Sequence, residues 1–290
     1  MSVANNICSS AVIHTGADSS KYIHEFQKSL ADNIVIQLRH YSAAELCSQR
    51  KTNMEIWNPW HGCHKISEGC LNCYMFRRDA MYDKDSNIVT KTSTFNAPVK
   101  RSRGGSYKMQ ESGTVYSCMT SDFFIEEADE WRKEAWAFIR ERGDLNFCII
   151  TKRIERFEVS LPDDWGDGYN NVTICATCEN QKRADERLPI LLRLPIKHRR
   201  IIHEPMLEQI EIERYLLSGK IEQVTCGGES GDNARPCRYE WILNTRKQCL
   251  RTNTPFYFKQ TGARFIKDGR LYLIKRKDQI SQARKAGINL

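Results

Sequence analysis

Residues 54–74 read MEIWNPWHGCHKISEGCLNCY, and this stretch places three cysteines directly after a short run of strand-forming residues. The run at 54–57 is predicted as a strand, and Cys63, Cys70 and Cys73 follow it with the spacing C-x6-C-x2-C. A C-x2-C pair supplies two thiolates from one tight turn, and the six-residue arm lets the third cysteine reach the same centre. The spacing therefore predicts a site for one soft metal centre.

The identity of that metal centre has two main readings. Structural zinc usually takes four ligands, and His61 or His64 would complete a Cys3His site. A 4Fe–4S cluster with three protein thiolates leaves one iron open for a substrate or cofactor. The position of the motif at the end of a first strand favours the iron–sulfur reading, while zinc and a chance grouping of thiols stay open.

Strand-like and helix-like segments alternate along the rest of the chain at intervals of roughly 25–35 residues, which is typical of β/α folds with a parallel sheet. We predict an α/β fold, a partial or full β/α barrel. The predicted strands lie at 54–57, 114–119, 147–151, 172–176, 200–203, 223–226 and 255–258. The predicted helices lie at 126–142, 181–194, 207–218 and 239–252.

Polar residues follow six of these predicted strands. In a β/α barrel the carboxyl ends of the strands build one active-site face, so we expect these groups to share a site, although loop polarity alone would also produce them. The groups are Ser121–Asp122, Thr151–Lys152–Arg153, Glu179–Asn180, His203–Glu204, Glu229–Ser230 and Lys259–Gln260.

The charge of the chain is concentrated at its C-terminal end. Lys and Arg number 44 against 36 Asp and Glu, a net charge of +8, and residues 251–290 alone hold ten basic and two acidic residues. Such a basic end on a neutral body predicts a polyanionic partner or, alternatively, a solvated surface. Residues 259–277 also fit a β-hairpin that turns at Asp268–Gly269. The candidate nucleic-acid contacts are Lys267, Arg270, Lys275, Arg276 and Lys277.

Composition limits the class of protein. No run of about 18 apolar residues exists, so we expect no membrane span, and the N-terminus lacks the features of a signal peptide. Most of the twelve cysteines are isolated in the sequence, which predicts reduced thiols and a cytoplasmic location. We expect three parts: a helical N-terminal extension (1–52), the barrel (53–262) and a basic C-terminal segment (263–290). Cys175 and Cys178 form a second C-x2-C, but residues i and i+3 of an extended strand face opposite sides, so they are interpreted as buried strand thiols.

A three-cysteine loop after the first strand of a β/α barrel resembles the radical S-adenosylmethionine (SAM) superfamily, although its commonest spacing is C-x3-C-x2-C. From about residue 55 to residue 262, the chain more closely resembles a family of phage-encoded and bacterial proteins known for a three-cysteine motif. The segments that carry this resemblance are WNPWHGCHKISEGCLNCY (57–74), MTSDFF (119–124), ITKRIERF (150–157), CENQKRADERLPIL (178–191), HEP (203–205), GGESGDNARP (227–236) and PFYFKQTG (255–262).

The resemblance implies that Cys63, Cys70 and Cys73 bind a 4Fe–4S cluster whose open iron takes the amine and carboxylate of SAM. Reductive cleavage, with an electron donor as partner, then yields a 5′-deoxyadenosyl radical that acts on a nucleic acid or nucleotide. The alternative is a non-catalytic nucleic-acid-binding protein in which iron–sulfur or zinc is a structural element. The side chains expected to reach SAM are Ser121, Asp122, Lys152, Glu179 and Glu229.

Protein purified without air should be brown and contain about four iron and four sulfide ions per chain, as such a cluster requires. Replacing Cys63, Cys70 or Cys73 by Ala should abolish the colour, whereas Cys118→Ala should retain it. Metal and sulfide analysis of the purified variants measures this. Stoichiometric zinc without sulfide would contradict the cluster assignment.

Overall fold

The structure of the protein, a computed structural model, describes residues 55–110 and 113–290. Its strands are β1 (Glu55–Trp57), β2 (Trp60–His61), β3 (Thr90–Lys91), β4 (Thr114–Ser117), β5 (Asn146–Thr151), β6 (Val172–Thr177), β7 (His198–His203), β8 (Ile221–Gly227), β9 (Cys237–Arg238), β10 (Phe256–Gln260), β11 (Arg264–Lys267) and β12 (Arg270–Leu273). Its α-helices are α1 (Tyr74–Ala80), α2 (Asp129–Glu141), α3 (Gln181–Arg193), α4 (Glu213–Leu216), α5 (Tyr239–Arg251) and α6 (Gln279–Lys285).

Seven strands form one parallel sheet in the order β1-β4-β5-β6-β7-β8-β10. The sheet is curled. Because its outer strands β1 and β10 do not pair with each other in the described part of the chain, it forms a half barrel and not a closed one. All seven strands predicted from the sequence are members of this sheet, and the expected α/β class is confirmed. Parallel strands place their carboxyl ends at one edge, so the polar groups that follow them converge there.

The two faces of the sheet carry different side chains. Along β5, Phe147 and Ile149 pack into the large core beneath the helices, whereas Cys148 and Ile150 face the opposite, concave side. This alternation follows from the two-residue repeat of a strand. The concave side therefore holds only a small apolar cluster, which leaves room above it for a cavity.

One predicted helix is mostly wrong. The segment 207–218 was expected to be helical, but only Glu213–Leu216 is. The backbone N–H of Leu207 donates to the carbonyl of Glu179, and that of Ile212 donates to the side-chain oxygen of Gln248. Because these long-range hydrogen bonds use the backbone donors of the segment, a regular helix does not form over its first half.

The C-terminal segment forms the predicted hairpin. Strands β11 and β12 pair antiparallel, and the turn residues Asp268 and Gly269 both have positive φ, at 51° and 71°. Such values suit a two-residue turn that matches the twist of the strands. The chain then returns to the sheet: the N–H of Thr261 donates to the carbonyl of Gln279 at 3.3 Å, and that of Leu290 to the carbonyl of Phe256 at 2.9 Å. The basic segment is thus packed against the end of the half barrel.

Two further expectations concern the N-terminal extension and membrane spans. The predicted helical extension over 1–52 lies outside the described residues. Within the described ranges, no helix combines the length and the apolar composition that crossing a bilayer requires.

Replacing Trp136 of α2 by Ala should lower the free energy of unfolding by about 3–5 kcal/mol. The Trp136 ring is 1% exposed and lies 4.9 Å, between ring centroids, from both Phe123 and Trp165, so its removal leaves a large cavity. The control Leu217→Ala removes a side chain that is 72% exposed and should change stability by less than about 0.5 kcal/mol. Urea unfolding measures both; similar losses in the two variants would contradict this account of the core.

Candidate functional site

A cavity of about 230 Å³ opens at the carboxyl ends of the strands of the half barrel. The three-cysteine loop forms one wall, and the opposite walls come from the segments that follow β4, β5, β8 and β10. The residues of the six sequence-predicted polar groups that line it are Ser121, Asp122, Thr151, Lys152, Arg153, Glu204, Glu229, Ser230, Lys259 and Gln260. Most of the predicted strand-end groups are therefore brought together.

The three motif cysteines differ from the other described cysteines. Cys63, Cys70 and Cys73 all line the cavity and are partly exposed, whereas the other seven described cysteines are buried. Cys175 and Cys178 pack into different clusters on opposite faces of the sheet, as the strand pattern predicted. Cys118 also borders the cavity but is only 3% exposed, so the partly exposed thiols there are the three that the spacing indicated.

The buried carboxylate of Glu179 supports one side of the cysteine loop. It accepts a hydrogen bond from the N–H of Gly69 at 3.3 Å and forms an ion pair with Arg187 at 2.7 Å. Burial alone would raise the pKa of Glu179, but the charges of Arg187 and Lys152 bring it below its usual value. A Cβ at Gly69 would lie 2.9 Å from the carboxyl carbon of Glu179, so the loop needs glycine to approach this carboxylate.

Glu229 supports the other side of the loop. The Asn72 side chain donates to Glu229 at 2.9 Å and to the carbonyl of Asn233 at 2.8 Å. Arg235 completes the arrangement with an ion pair to Glu229 at 2.5 Å. The loop is therefore tied to the ends of β6 and β8 through two carboxylates that each have their own arginine.

Asp122 joins the ends of two neighbouring strands. Its carboxylate accepts from the hydroxyl of Thr151 at 2.7 Å and from the N–H of Lys152 at 2.9 Å, and it lies 3.5 Å from the guanidinium of Arg153. The hydroxyl of Ser121 donates to the carbonyl of Gly62, at the start of the cysteine loop. Of the five side chains predicted to contact SAM, four are thus already hydrogen-bonded or ion-paired within the protein: Ser121, Asp122, Glu179 and Glu229.

Lys152 is the exception among those five. Its side chain lines the cavity and makes no hydrogen bond or ion pair within the described residues. Its neighbour Arg153 instead contacts the cysteine loop, with one nitrogen 3.5 Å from the Cys63 sulfur and another 2.8 Å from the carbonyl of His64. Among the described residues, the ammonium of Lys152 therefore keeps its hydrogen-bond donors for an anionic ligand, although its charge also acts on Glu179.

The charge state of Cys63 depends on burial. Burial and the nearby charge of Asp122 raise the pKa of Cys63 to about 11, although Arg153 opposes the shift. The free thiol is therefore protonated at neutral pH, and binding a metal as thiolate requires the loss of that proton. Within the described part of the chain, no three His, Cys, Asp or Glu side chains are grouped closely enough to hold a metal ion.

The two histidines considered as zinc ligands both contact carboxylates. The Nε2 of His61 lies 2.7 Å from Asp79, and both residues are buried. The Nε2 of His64, which lines the cavity, pairs with Glu127. Each ring therefore uses one of its two nitrogens for a contact within the protein.

Two residues of the predicted polar groups have other roles. Asn180 accepts a hydrogen bond from the N–H of Arg183 at 2.9 Å, which makes it the N-cap of α3. His203 is fully buried, with its Nδ1 2.5 Å from the carbonyl of Cys178. An Asn directly before a helical pattern is a recognisable capping signal, but nothing in the sequence marks His203 as buried.

Tyr74 and Thr177 are among the cavity residues that the sequence did not single out as site residues. Tyr74 lies at the start of α1 and lines the cavity while 40% exposed. Thr177, the last residue of β6, is 1% exposed, and its hydroxyl has no hydrogen-bond partner in the described residues. A polar final residue in a parallel strand was the only available signal for Thr177.

The five basic residues predicted to contact nucleic acid are all exposed, but they lie in two places. Lys267 and Arg270 flank the tip of the hairpin β11–β12. Lys275, Arg276 and Lys277 lie in the turn before α6, whose first residue is bonded to the end of β10. The second group is therefore next to the strand that supplies Lys259 and Gln260 to the cavity.

These features define a β/α half-barrel protein with a cysteine-lined cavity at the carboxyl ends of its strands. The chain belongs to a family described as a protein of unknown function (DUF5131), whose model matches residues 49–286. No curated protein and no solved structure matches the chain.

The buried His203 should make stability depend on pH. Desolvation lowers the pKa of His203 to about 4, whereas a histidine in the unfolded chain titrates near ~6.5. Between these values the unfolded chain binds the additional proton, so the free energy of unfolding should fall by about 3 kcal/mol as the pH decreases from about 6.5 to about 4.

Urea unfolding of the wild type and of His203→Gln across this pH range tests the prediction. The variant should lose the part of the pH dependence that His203 contributes, whatever its stability at neutral pH. Identical slopes for the two proteins would show that His203 does not titrate as its burial implies.

Proposed function

We propose that this protein is a radical SAM-like iron–sulfur enzyme that modifies a nucleic acid or nucleotide. The observation that carries the proposal is that the motif cysteines Cys63, Cys70 and Cys73 are partly exposed and line the cavity, whereas every other described cysteine is buried. Reactive groups at the carboxyl ends of barrel strands are the usual arrangement in β/α enzymes.

The type of donor suits an iron–sulfur centre, although the three thiols of the described structure are not grouped closely enough to hold a metal ion, so a cluster would have to draw them together. Three thiolates are soft ligands, and each cysteine lies on a loop with glycines that let the backbone bend closely. Gly62 has φ of 101°, and a Cβ there would lie 2.3 Å from the carbonyl of Ile88. When bound, a 4Fe–4S cluster with three protein ligands supplies an open iron for SAM and the electron that cleaves it.

The residues around the cysteines have supporting roles in this proposal. Glu179 and Glu229 hold the loop at Gly69 and Asn72, and such contacts behind the ligands orient them. Lys152 is the group we assign to the carboxylate of SAM, because its ammonium has no other partner within the described residues. Ser121, Asp122, Glu179 and Glu229 act by fixing the walls of the cavity rather than through free side chains.

The alternative reading is that the metal is a structural element of a nucleic-acid-binding protein. The two readings differ in one measurable respect, since only the enzyme needs SAM beside the cysteines. The contacts made by Asn72 and Gly69 suit either reading, because both require a loop held in place. Binding and cleavage of SAM therefore discriminate between them.

Reduced protein with a full cluster should release 5′-deoxyadenosine from SAM, slowly even without substrate. Lys152→Ala should weaken SAM binding about tenfold or more, because a charge-assisted hydrogen bond contributes roughly 1.5–3 kcal/mol. The iron content should stay at the wild-type value, since Lys152 does not ligate metal. Equilibrium binding and chromatographic detection of 5′-deoxyadenosine measure the two effects.

Lys182→Ala is the matched control, since Lys182 is exposed on α3 and does not line the cavity. It should bind SAM like the wild type. A fully loaded wild-type protein that neither binds nor cleaves SAM would contradict the proposal and leave the structural-metal reading. Normal SAM binding by Lys152→Ala would contradict the role assigned to Lys152.

A further inference from the structure

The carboxylates around the cavity are neutralised by partners within the protein. Five form ion pairs with arginine or lysine at distances of 3.5 Å or less, and a sixth pairs with a histidine. These pairs are Glu68–Arg183, Asp122–Arg153, Glu179–Arg187, Glu204–Lys259, Glu229–Arg235 and Glu127–His64. Cations near the cavity that lack such a partner therefore give its mouth a net positive charge.

Two unpaired cations and an exposed aromatic ring lie at this mouth. Tyr74 and Arg78 are separated by four residues on α1, so they lie on the same side of the helix. Both are exposed, and Arg78 has no carboxylate partner within the described residues. Tyr74 contributes its ring to the cavity wall and its hydroxyl to the carbonyl of Met119.

Arg276 reaches the same mouth from the C-terminal segment, next to the end of β10, whose last residue Gln260 lines the cavity. The turn that contains it is anchored where Gln279 accepts a hydrogen bond from the end of β10. Arg276 is exposed and without a carboxylate partner in the described part of the chain, as are Lys275 and Lys277.

We propose that Tyr74, Arg78 and Arg276 form an entry site for single-stranded nucleic acid at the mouth of the cavity. Arg78 and Arg276 contact phosphates on either side, and Tyr74 stacks on a base between them. This inference rests on the proposed function, whose substrate class it narrows from nucleic acids and nucleotides in general to an unpaired strand.

The exposed cations and the aromatic ring favour an unpaired strand. Exposed cations beside an exposed aromatic ring are the combination that binds single strands through phosphates and base stacking. A base inside a duplex is not free to stack on a side chain or to enter a pocket.

Fluorescence anisotropy with a labelled 12-nucleotide single strand, as DNA and as RNA, tests the proposal across a range of salt concentrations. Arg78→Ala and Arg276→Ala should each weaken binding several-fold and reduce the slope of log affinity against log salt by about 0.7. Tyr74→Phe should bind like the wild type, because the ring is kept. Tyr74→Leu should lose about fivefold or more, because stacking contributes about 1–3 kcal/mol per base.

Arg103→Ala provides the matched control. Arg103 is exposed and lies in the basic loop 99–108. Arg142, which directly follows α2, donates hydrogen bonds to the carbonyls of Pro98 and Met109 at the two ends of this loop. Its replacement should leave affinity and salt slope unchanged. Point substitutions are preferable to removal of residues 263–290, because Gln279 and Leu290 form hydrogen bonds at the two ends of β10 and their loss would disturb the sheet.

Three outcomes would overturn the entry site: no binding by the wild type at low salt, equal losses in Arg103→Ala and Arg276→Ala, or preference for a duplex of the same sequence. The binding assay needs neither cluster nor SAM, and the SAM assay needs no nucleic acid. Failure of the entry site therefore leaves SAM cleavage intact, and failure of SAM cleavage alone contradicts the proposed enzyme without altering the pattern of strand binding.

Discussion

The ion pair between Glu179 and Arg187 is the contact on which the arrangement of the cavity depends. A buried carboxylate without a partner would be strongly unfavourable, and Arg187 satisfies it at 2.7 Å. The same carboxylate accepts the N–H of Gly69 and so connects the end of β6 and the first turns of α3 to the cysteine loop. The Glu179 carboxylate thereby holds the loop that carries the three cysteines against the end of β6, at the centre of the sheet.

The other carboxylates repeat this arrangement around the cavity. Asp122 connects the ends of β4 and β5, and Glu229 connects the end of β8 to Asn72 of the loop. Each is paired with an arginine, so the acidic groups stabilise the walls without leaving negative charge in the cavity. Basic residues without such partners therefore lie at the cavity and its mouth, namely Lys152, Arg78 and those of the turn before α6.

Much of the fold could be predicted because its signals are local. Each of the seven central strands is a short β-rich run, and polar groups mark where six of these runs end. The hairpin followed from Asp268–Gly269, where two residues with positive φ make a tight turn. The segment 207–218 could not be predicted in this way, because bonds to Glu179 and Gln248, which are distant in sequence, determine its conformation.

By itself the sequence determined the alternation of strands and helices, the C-x6-C-x2-C loop and the gathering of polar groups at one edge of a parallel sheet. Only the tertiary structure decided which of those groups remain available to a ligand. A carboxylate at the end of a strand has the same appearance in a sequence whether it faces a ligand or an arginine. Asp122, Glu179 and Glu229 form ion pairs with arginines, including Arg187 and Arg235. The ammonium of Lys152 forms no ion pair or hydrogen bond within the described residues, although its charge acts on Glu179.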